Sequence, residues 1–285
     1  MSKPPRLTLP AVARAYVLTT ERGGFAVHEA GEPVRGTALL VPGFTGSKED
    51  FIGLLEPLAA AGYRVVAVDG RGQYETPGPR EEAPYALEEL ARDVLAQVRA
   101  LGGDLVHLVG HSLGGLISRA AVLREPAPFA SLALMSSGPA AISEDQRART
   151  KLLVAALEAM GDDMPGIWAA MRAHDPEDAV ADSPELAHFL RERWLATVPE
   201  QLVVTGRTLI SEPDRVAELS RVDLPKLVLS GAVDQAWPVP LLDDMARRLG
   251  AQRVIVPGTD HSPNAEDPAT TAAALAAFWG SCTRA

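Results

Sequence analysis

Residues Gly110-His111-Ser112-Leu113-Gly114 lie between a short, mostly apolar run, Leu105–Val109, and a small-residue segment from Leu113 to Leu123. The run reads as a buried strand and the segment as a helix, so the pentapeptide falls in a strand–turn–helix. In that context a G-x-S-x-G stretch is a sharp turn that lifts its serine above the sheet. The serine backbone is strained there, and its glycine neighbours leave room for close packing. Ser112 is therefore a candidate nucleophile.

The pattern around it extends in both directions. Ala15–Thr19 and Phe25–Glu29 flank Arg22-Gly23-Gly24 and read as a hairpin. Thr37–Val41, Arg64–Val68, Leu132–Met135, Lys226–Leu229 and Arg253–Val256 are further short apolar runs. Helical segments alternate with them: Ser47–Ala61, Pro84–Leu101, Val239–Leu249 and Ala269–Gly280. This alternation predicts βαβ units in a mostly parallel α/β sheet with helices on both faces. Residues 139–222 interrupt it and read as helices only. Ser143 with Gln146 suggests a capping box opening a helix to about Met160. Ser183-Pro184 suggests an N-cap with proline at N1, opening a helix to about Ala196. The expected division is a core of residues 1–138 and 223–285 with a helical insertion, 139–222, lying over the sheet.

Composition narrows the function classes. The net charge of −10 argues against a nucleic-acid surface, which would be basic. The one cysteine, Cys282, supplies neither a disulfide framework nor a cysteine-based metal site. No run approaches the ~18 apolar residues of a membrane span, and Met1–Pro10 lacks the shape of a signal peptide, so a cytoplasmic protein is expected. Oligomeric state is not readable.

A serine hydroxyl is a weak nucleophile near neutral pH and needs a base, a group to orient that base, and donors for the developing oxyanion. His261 follows the strand Arg253–Val256 and is the expected base. His107 lies inside a strand, His28 in the hairpin, and His174 and His188 in the insertion. His111 adjoins Ser112, but neighbouring side chains diverge in a sharp turn. Asp234 follows the strand Lys226–Leu229, at the end where open α/β sheets place their sites, and is the expected orienter. Asp260 is too close in sequence to His261 to reach its ring, and Asp223 precedes its strand. The expected oxyanion donors are the amides of Leu113 and Phe44, with Thr45 as the alternative to Phe44.

Together these blocks resemble the α/β-hydrolase family. The order Ser112, Asp234, His261 is the order that family uses. Val41-Pro42-Gly43-Phe44 resembles its His-Gly-X oxyanion loop, and Asp69 to Thr76 resembles its D-x-R-G-x-G-x-S segment. Gly110 to Gly115 matches G-H-S-x-G-G. Leu224 to Gly231, with Asp234 and Pro238, resembles the acid-bearing segment, and Asp260-His261 the histidine loop. Pro42 stands where a histidine is usual, Tyr74 where a glycine is, and Thr76 where a serine is.

The resemblance implies an eight-stranded sheet, a helical cap made by the insertion, and hydrolysis of a small hydrophobic ester with no metal or organic cofactor. Serine at position 112 sets aside the dehalogenase and epoxide-hydrolase chemistries, which use aspartate. The same three residues would equally serve hydrolysis of carbon–carbon bonds, thioesters or amides and peptides, or acyl transfer. Relatives that only bind ligands form a third class. Met160, Met164, Trp168, Met171 and Trp194 are candidates to line the roof of the pocket, and Trp237 to touch the substrate.

Overall fold

The computed structural model describes residues 2–103, 105–161, 163–173 and 182–282. Its strands are β1 (Ala13–Thr20), β2 (Gly23–Ala30), β3 (Thr37–Val41), β4 (Arg64–Val68), β5 (Val106–His111), β6 (Phe129–Met135), β7 (Lys226–Gly231) and β8 (Gln252–Val256). They form one eight-stranded sheet in the order β1-β2-β4-β3-β5-β6-β7-β8. The hairpin β1–β2 joins β4 antiparallel, and every pairing from β4 to β8 is parallel.

The helices are α1 (Ile52–Ala60), α2 (Leu87–Leu101), α3 (Leu113–Arg124), α4 (Glu144–Met160), α5 (Met164–Arg172), α6 (Pro184–Ala196), α7 (Pro199–Ser211), α8 (Val216–Leu219), α9 (Val239–Leu249), α10 (Pro263–Glu266) and α11 (Pro268–Cys282). Strand side chains alternate between two apolar layers, as the two-residue period requires. Leu39, Val41, Val66, Val68 and Leu108 meet α2, α3 and α9 on one face. Ala38, Leu40, Val65, Ala67 and Val109 meet α1 and α11 on the other. Both faces are covered, which is why these strands read as continuous apolar runs.

Several boundaries differ from expectation. Leu105 is exposed and lies just before β5. The segment after Ser47 begins as a 3₁₀ turn, Lys48–Phe51, before α1. The expected capping box at Ser143 does not form: Ser143 Oγ donates to the Gln235 carbonyl at 2.6 Å instead. Ser183 does cap α6, accepting from Leu186 N at 3.2 Å.

Helices α4 to α8 lie between β6 and β7. Val154, Leu157, Met164, Ile167, Trp194, Leu202 and Val203 make an apolar cluster of their own within this stretch. Leu209, Val216 and Leu219 join the main core, so the end of the insertion is continuous with the sheet layer. Arg119 of α3 ties its root, donating to the Pro139 carbonyl at 2.5 Å and to Glu212 at 2.8 Å. Among the described residues no helix is long and apolar enough to cross a membrane.

His107 sits in β5 at the end of the sheet remote from Ser112. It bonds Ser131 Oγ at 2.8 Å and stacks on Trp279 at 5.2 Å between ring centroids. Burial pushes its pKa down to about 4. A depressed histidine adds stability that is full above its unfolded value near 6.5 and is lost as pH falls toward 4. The shift of about 2.5 pH units corresponds to about 3 kcal/mol. Urea denaturation across pH 7 to 4 should show this fall. His107→Asn should flatten that part of the profile while lowering stability at pH 7.

Candidate active site

The site lies at the C-terminal ends of the parallel strands, and sheet order brings its parts together. β5 ends in the turn at Ser112, which holds φ +55° and ψ −120°. A Cβ on Gly110 would overlap the Gly114 backbone, and one on Gly114 would overlap the carbonyls of Val41 and Pro42. Only glycine permits β5, α3 and the end of β3 to approach this closely. Because β3 neighbours β5, the loop Pro42–Gly46 runs beside the serine.

β7 ends before Asp234 and β8 before His261. His261 Nε2 lies 3.0 Å from Ser112 Oγ, and its Nδ1 lies 2.9 Å from Asp234 Oδ2. The Asp234 side chain is fully buried. Its other oxygen accepts the amides of Ala236 and Trp237 at 2.9 and 3.0 Å. With Nδ1–H donated to Asp234, the unprotonated Nε2 faces the serine hydroxyl as an acceptor. The arrangement is able to move the Ser112 proton onto His261 while the carboxylate stabilises the resulting charge.

Two groups to which the sequence assigned no role hold the histidine loop. His111 does diverge from Ser112, and its Nε2 donates to the His261 carbonyl at 2.9 Å. Burial, together with the nearby His261, pushes the His111 pKa down to about 3, so the ring is neutral at physiological pH. Glu266 accepts the amides of Asp260 and Ser262 at 2.5 and 3.0 Å, one on either side of His261. The partner of His111 is a backbone carbonyl 150 residues away, which no sequence pattern announces. Glu266 had a signal, since it follows Ser262-Pro263 at the spacing of a helix start.

The amides of Phe44 and Leu113 meet no acceptor among the described residues. Leu113 begins α3, where the first amides of a helix point outward unsatisfied. Phe44 and Thr45 line a cavity of about 380 Å³ together with Ser112 and His261. Among the described residues no group of three or more His, Cys, Asp or Glu side chains is placed to hold a metal ion.

A family model described as the alpha/beta hydrolase fold matches residues 38–188. The chain belongs to the α/β-hydrolase fold family. It is 30% identical over 221 residues to the pimeloyl-[acyl-carrier protein] methyl ester esterase of Aeromonas hydrophila, covering 74% of this chain and 83% of that one. It is 40% identical over 111 residues to a Variovorax paradoxus protein named for carbamate hydrolysis, RutD. That match spans 39% of this chain and 41% of the other. A crystal structure of a hydrolase from Pseudomonas aeruginosa superposes with a TM-score of 0.76 at 25% identity, covering 94% of this chain and 98% of that one.

Within this α/β-hydrolase, the aromatic residues expected at the pocket lie elsewhere. Trp237 is fully buried, donates Nε1–H to the Ala140 carbonyl at 2.8 Å and stacks behind the His261 ring. Trp168 packs on the insertion's own apolar cluster, tilted against Trp194. Met164, Met171 and Trp194 belong to or pack on that cluster, and Met160 is exposed. The reason is geometric: Trp168 of α5 and Trp194 of α6 turn toward each other within that cluster. The cavity roof comes instead from Ile142, Gln146, Thr150 and Leu209. His28 is buried near Glu49, His188 is exposed on α6, and His174 lies outside the described residues.

Tyr74 explains one departure from the family pattern. It holds φ +42°, the left-handed region in which the usual glycine is at ease. Its ring lies 4.8 Å from Lys48 Nζ and edge-on to Phe189, contacts that hold the unfavourable conformation.

If Trp237 supports the histidine from behind, Trp237→Phe should lower stability by about 1–2 kcal/mol through loss of the Ala140 bond. KM for p-nitrophenyl acetate should stay within about twofold. Urea denaturation and steady-state kinetics separate this from a substrate contact, which would raise KM at unchanged stability.

Proposed function

We propose that the protein is a serine hydrolase that cleaves small uncharged carboxylic esters through an acyl-enzyme on Ser112. The observation that carries this reading is the unbroken hydrogen-bond chain from Ser112 through His261 to Asp234 on the wall of a cavity. In the proposed reaction Ser112 Oγ attacks the ester carbonyl carbon as His261 Nε2 takes its proton. The Phe44 and Leu113 amides bind the oxyanion. Collapse breaks the C–O bond, and His261 passes the proton to the departing alcohol. A water then attacks the acyl carbon, giving its proton to His261, and the acid leaves as Ser112 regains its proton. Residues 139–222 serve as a cap over the core of residues 1–138 and 223–285, with Gln146, Thr150 and Leu209 facing the acyl chain.

The relative named as a methyl ester esterase supports ester chemistry, and that named for carbamate hydrolysis favours a second reading in which the same attack falls on a carbamate carbonyl. Phenyl N-methylcarbamate beside phenyl acetate separates the two. Turnover of the carbamate with inertness toward the ester would overturn the ester reading.

Fluorophosphonate should label wild-type protein at Ser112, with labelling lost in Ser112→Ala and His261→Ala. Asp234→Asn should lower kcat by about 10⁴-fold with the fold intact. An unlabelled wild-type protein would remove the serine mechanism.

Among the described residues, the charged side chains lining the cavity are all acidic. Asp50 is paired with Arg193, while Asp260 and Glu266 stand at the histidine side, and among the described residues no lysine or arginine lines it. A free carboxylate on the substrate would meet repulsion there. At pH 8 and low salt, kcat/KM for methyl hexanoate should exceed that for monomethyl adipate by about tenfold or more, a difference of about 1.4 kcal/mol. Asp260→Asn and added salt should both narrow the ratio.

A further inference from the structure

We infer that Gln73 is a positioning residue that sets the orientation of the Phe44 oxyanion donor. The inference rests on the serine-hydrolase reading above.

The Gly43 carbonyl and the Phe44 N–H belong to one planar trans peptide group, so they point in opposite directions. Whatever holds the carbonyl away from the site aims the N–H into it. Gln73 Nε2 donates to the Gly43 carbonyl at 2.9 Å, and the Gly46 amide donates to it at 3.2 Å. The Gln73 amide has no freedom to turn over, because its Oε1 accepts the Gly70 amide at 3.0 Å. A donor is required on one side and an acceptor on the other, which fixes the assignment of oxygen and nitrogen. Gln73 itself is buried, in the loop that follows β4.

The peptide needs such a clamp. A Cβ on Gly43 would stand 3.2 Å from Ser112 Cβ and 3.5 Å from His111 Nδ1, so the close approach to the serine favours glycine. Glycine also leaves the following peptide plane easy to rotate. The Gly46 bond closes a local turn that travels with the loop. Gln73 comes from a different strand connection and ties the plane to the sheet. By donating to the carbonyl it also polarises the peptide and strengthens the N–H as a donor.

The test uses Gln73→Met, which keeps length and removes both hydrogen bonds, and Gln73→Glu, which keeps shape and presents only acceptors at pH 8. Three quantities are read for each: kcat and KM for p-nitrophenyl acetate, Ki for a trifluoromethyl ketone, and Kd for the matching methyl ketone. The trifluoromethyl ketone forms a hemiketal oxyanion on Ser112, whereas the methyl ketone only occupies the cavity. We expect kcat to fall at least about tenfold with KM little changed, a portion of the about 10²–10³-fold lost when an oxyanion donor is removed outright. Ki should rise by the same factor as kcat/KM falls, and Kd should not move. A purely structural role would instead lower the melting temperature with kcat and Ki unchanged, which overturns the inference. Should Gln73→Met fail to fold, Gln73→Glu decides the matter by the same readings. Ser112→Ala is measured alongside. If it keeps activity, the serine reading itself fails. If it is inactive while both Gln73 variants keep wild-type kcat and Ki, only the role of Gln73 is refuted.

Discussion

The ends of β3 and β5 meet with no side chain between them, and the placement of the candidate site depends on that contact. Gly114 lies against the carbonyls of Val41 and Pro42, and Gly110 against the backbone of α3. The turn between them forces Ser112 to φ +55°, a conformation that costs free energy and persists only when its surroundings leave no alternative. The apolar layers on both faces of the sheet supply that constraint, since neither β5 nor α3 is able to shift without opening the core. The same contact sets the Pro42–Gly46 loop beside the serine. The proposed nucleophile and the proposed oxyanion donor are thus placed by one packing event.

Loops that rise above the sheet are fixed by buried polar contacts rather than by apolar packing. Lys48 Nζ lies within 2.9 Å of carboxylate oxygens of Glu49, Asp69 and Glu75, with the Tyr74 ring beside it. Burial alone would lower its pKa, but the carboxylates of Asp69, Glu49 and Glu75 hold it above the ordinary lysine value. Asp69 also accepts the Lys48 amide at 2.7 Å, so the loop after β3 and the loop after β4 are joined through one carboxylate. Arg193 makes the corresponding link to the insertion, donating to Asp50 at 2.8 Å and to the Ser2 carbonyl at 2.7 Å. Removing one partner of such a pair leaves an uncompensated buried charge, so these contacts fix loop geometry more firmly than their net contribution to stability suggests.

The fold was legible because the central strands β3 to β7 are covered on both faces and are apolar along most of their length, while the edge strands β1 and β8 keep exposed positions. Ser112, Asp234 and His261 were legible because each follows a strand at the end where the sheet gathers its loops. What stayed hidden depends on side-chain direction across the fold. Trp237 in a loop beside Asp234 reads equally as a substrate contact or as a support, and only its bond to the Ala140 carbonyl decides. Trp194 lies on a helix whose weak apolar periodicity does not say which face meets the sheet, and the apolar face of α5, which carries Trp168, does not say whether the sheet or another helix covers it. Ser143 and Gln146 fit a capping box, but a tertiary acceptor, the Gln235 carbonyl, competes for the same hydroxyl. His111 and Gln73 act on backbone carbonyls, and a backbone carbonyl has no sequence signature.

The insertion therefore divides into parts with different tasks. Its aromatic cluster, with Trp194 Nε1 bonded to the Met164 carbonyl at 2.9 Å, makes α5 and α6 rigid against one another and stands away from the cavity. The surface turned toward Ser112 comes from α4, from Ile142 just before it, and from the end of α7, where Leu209 is shared with the main core. Because Ile142 N bonds the Leu209 carbonyl at 3.0 Å and Ser143 N bonds the Ala236 carbonyl at 2.8 Å, this roof is tied to the loop that carries Asp234. A change of residue at Gln146 or Thr150 alters the cavity wall without touching those ties, whereas a change at Leu209 disturbs both the wall and the core. Substrate choice in the proposed enzyme is therefore most adjustable along one face of α4, and the hydrogen-bond chain at Ser112 is insulated from such changes by the backbone bonds beneath it.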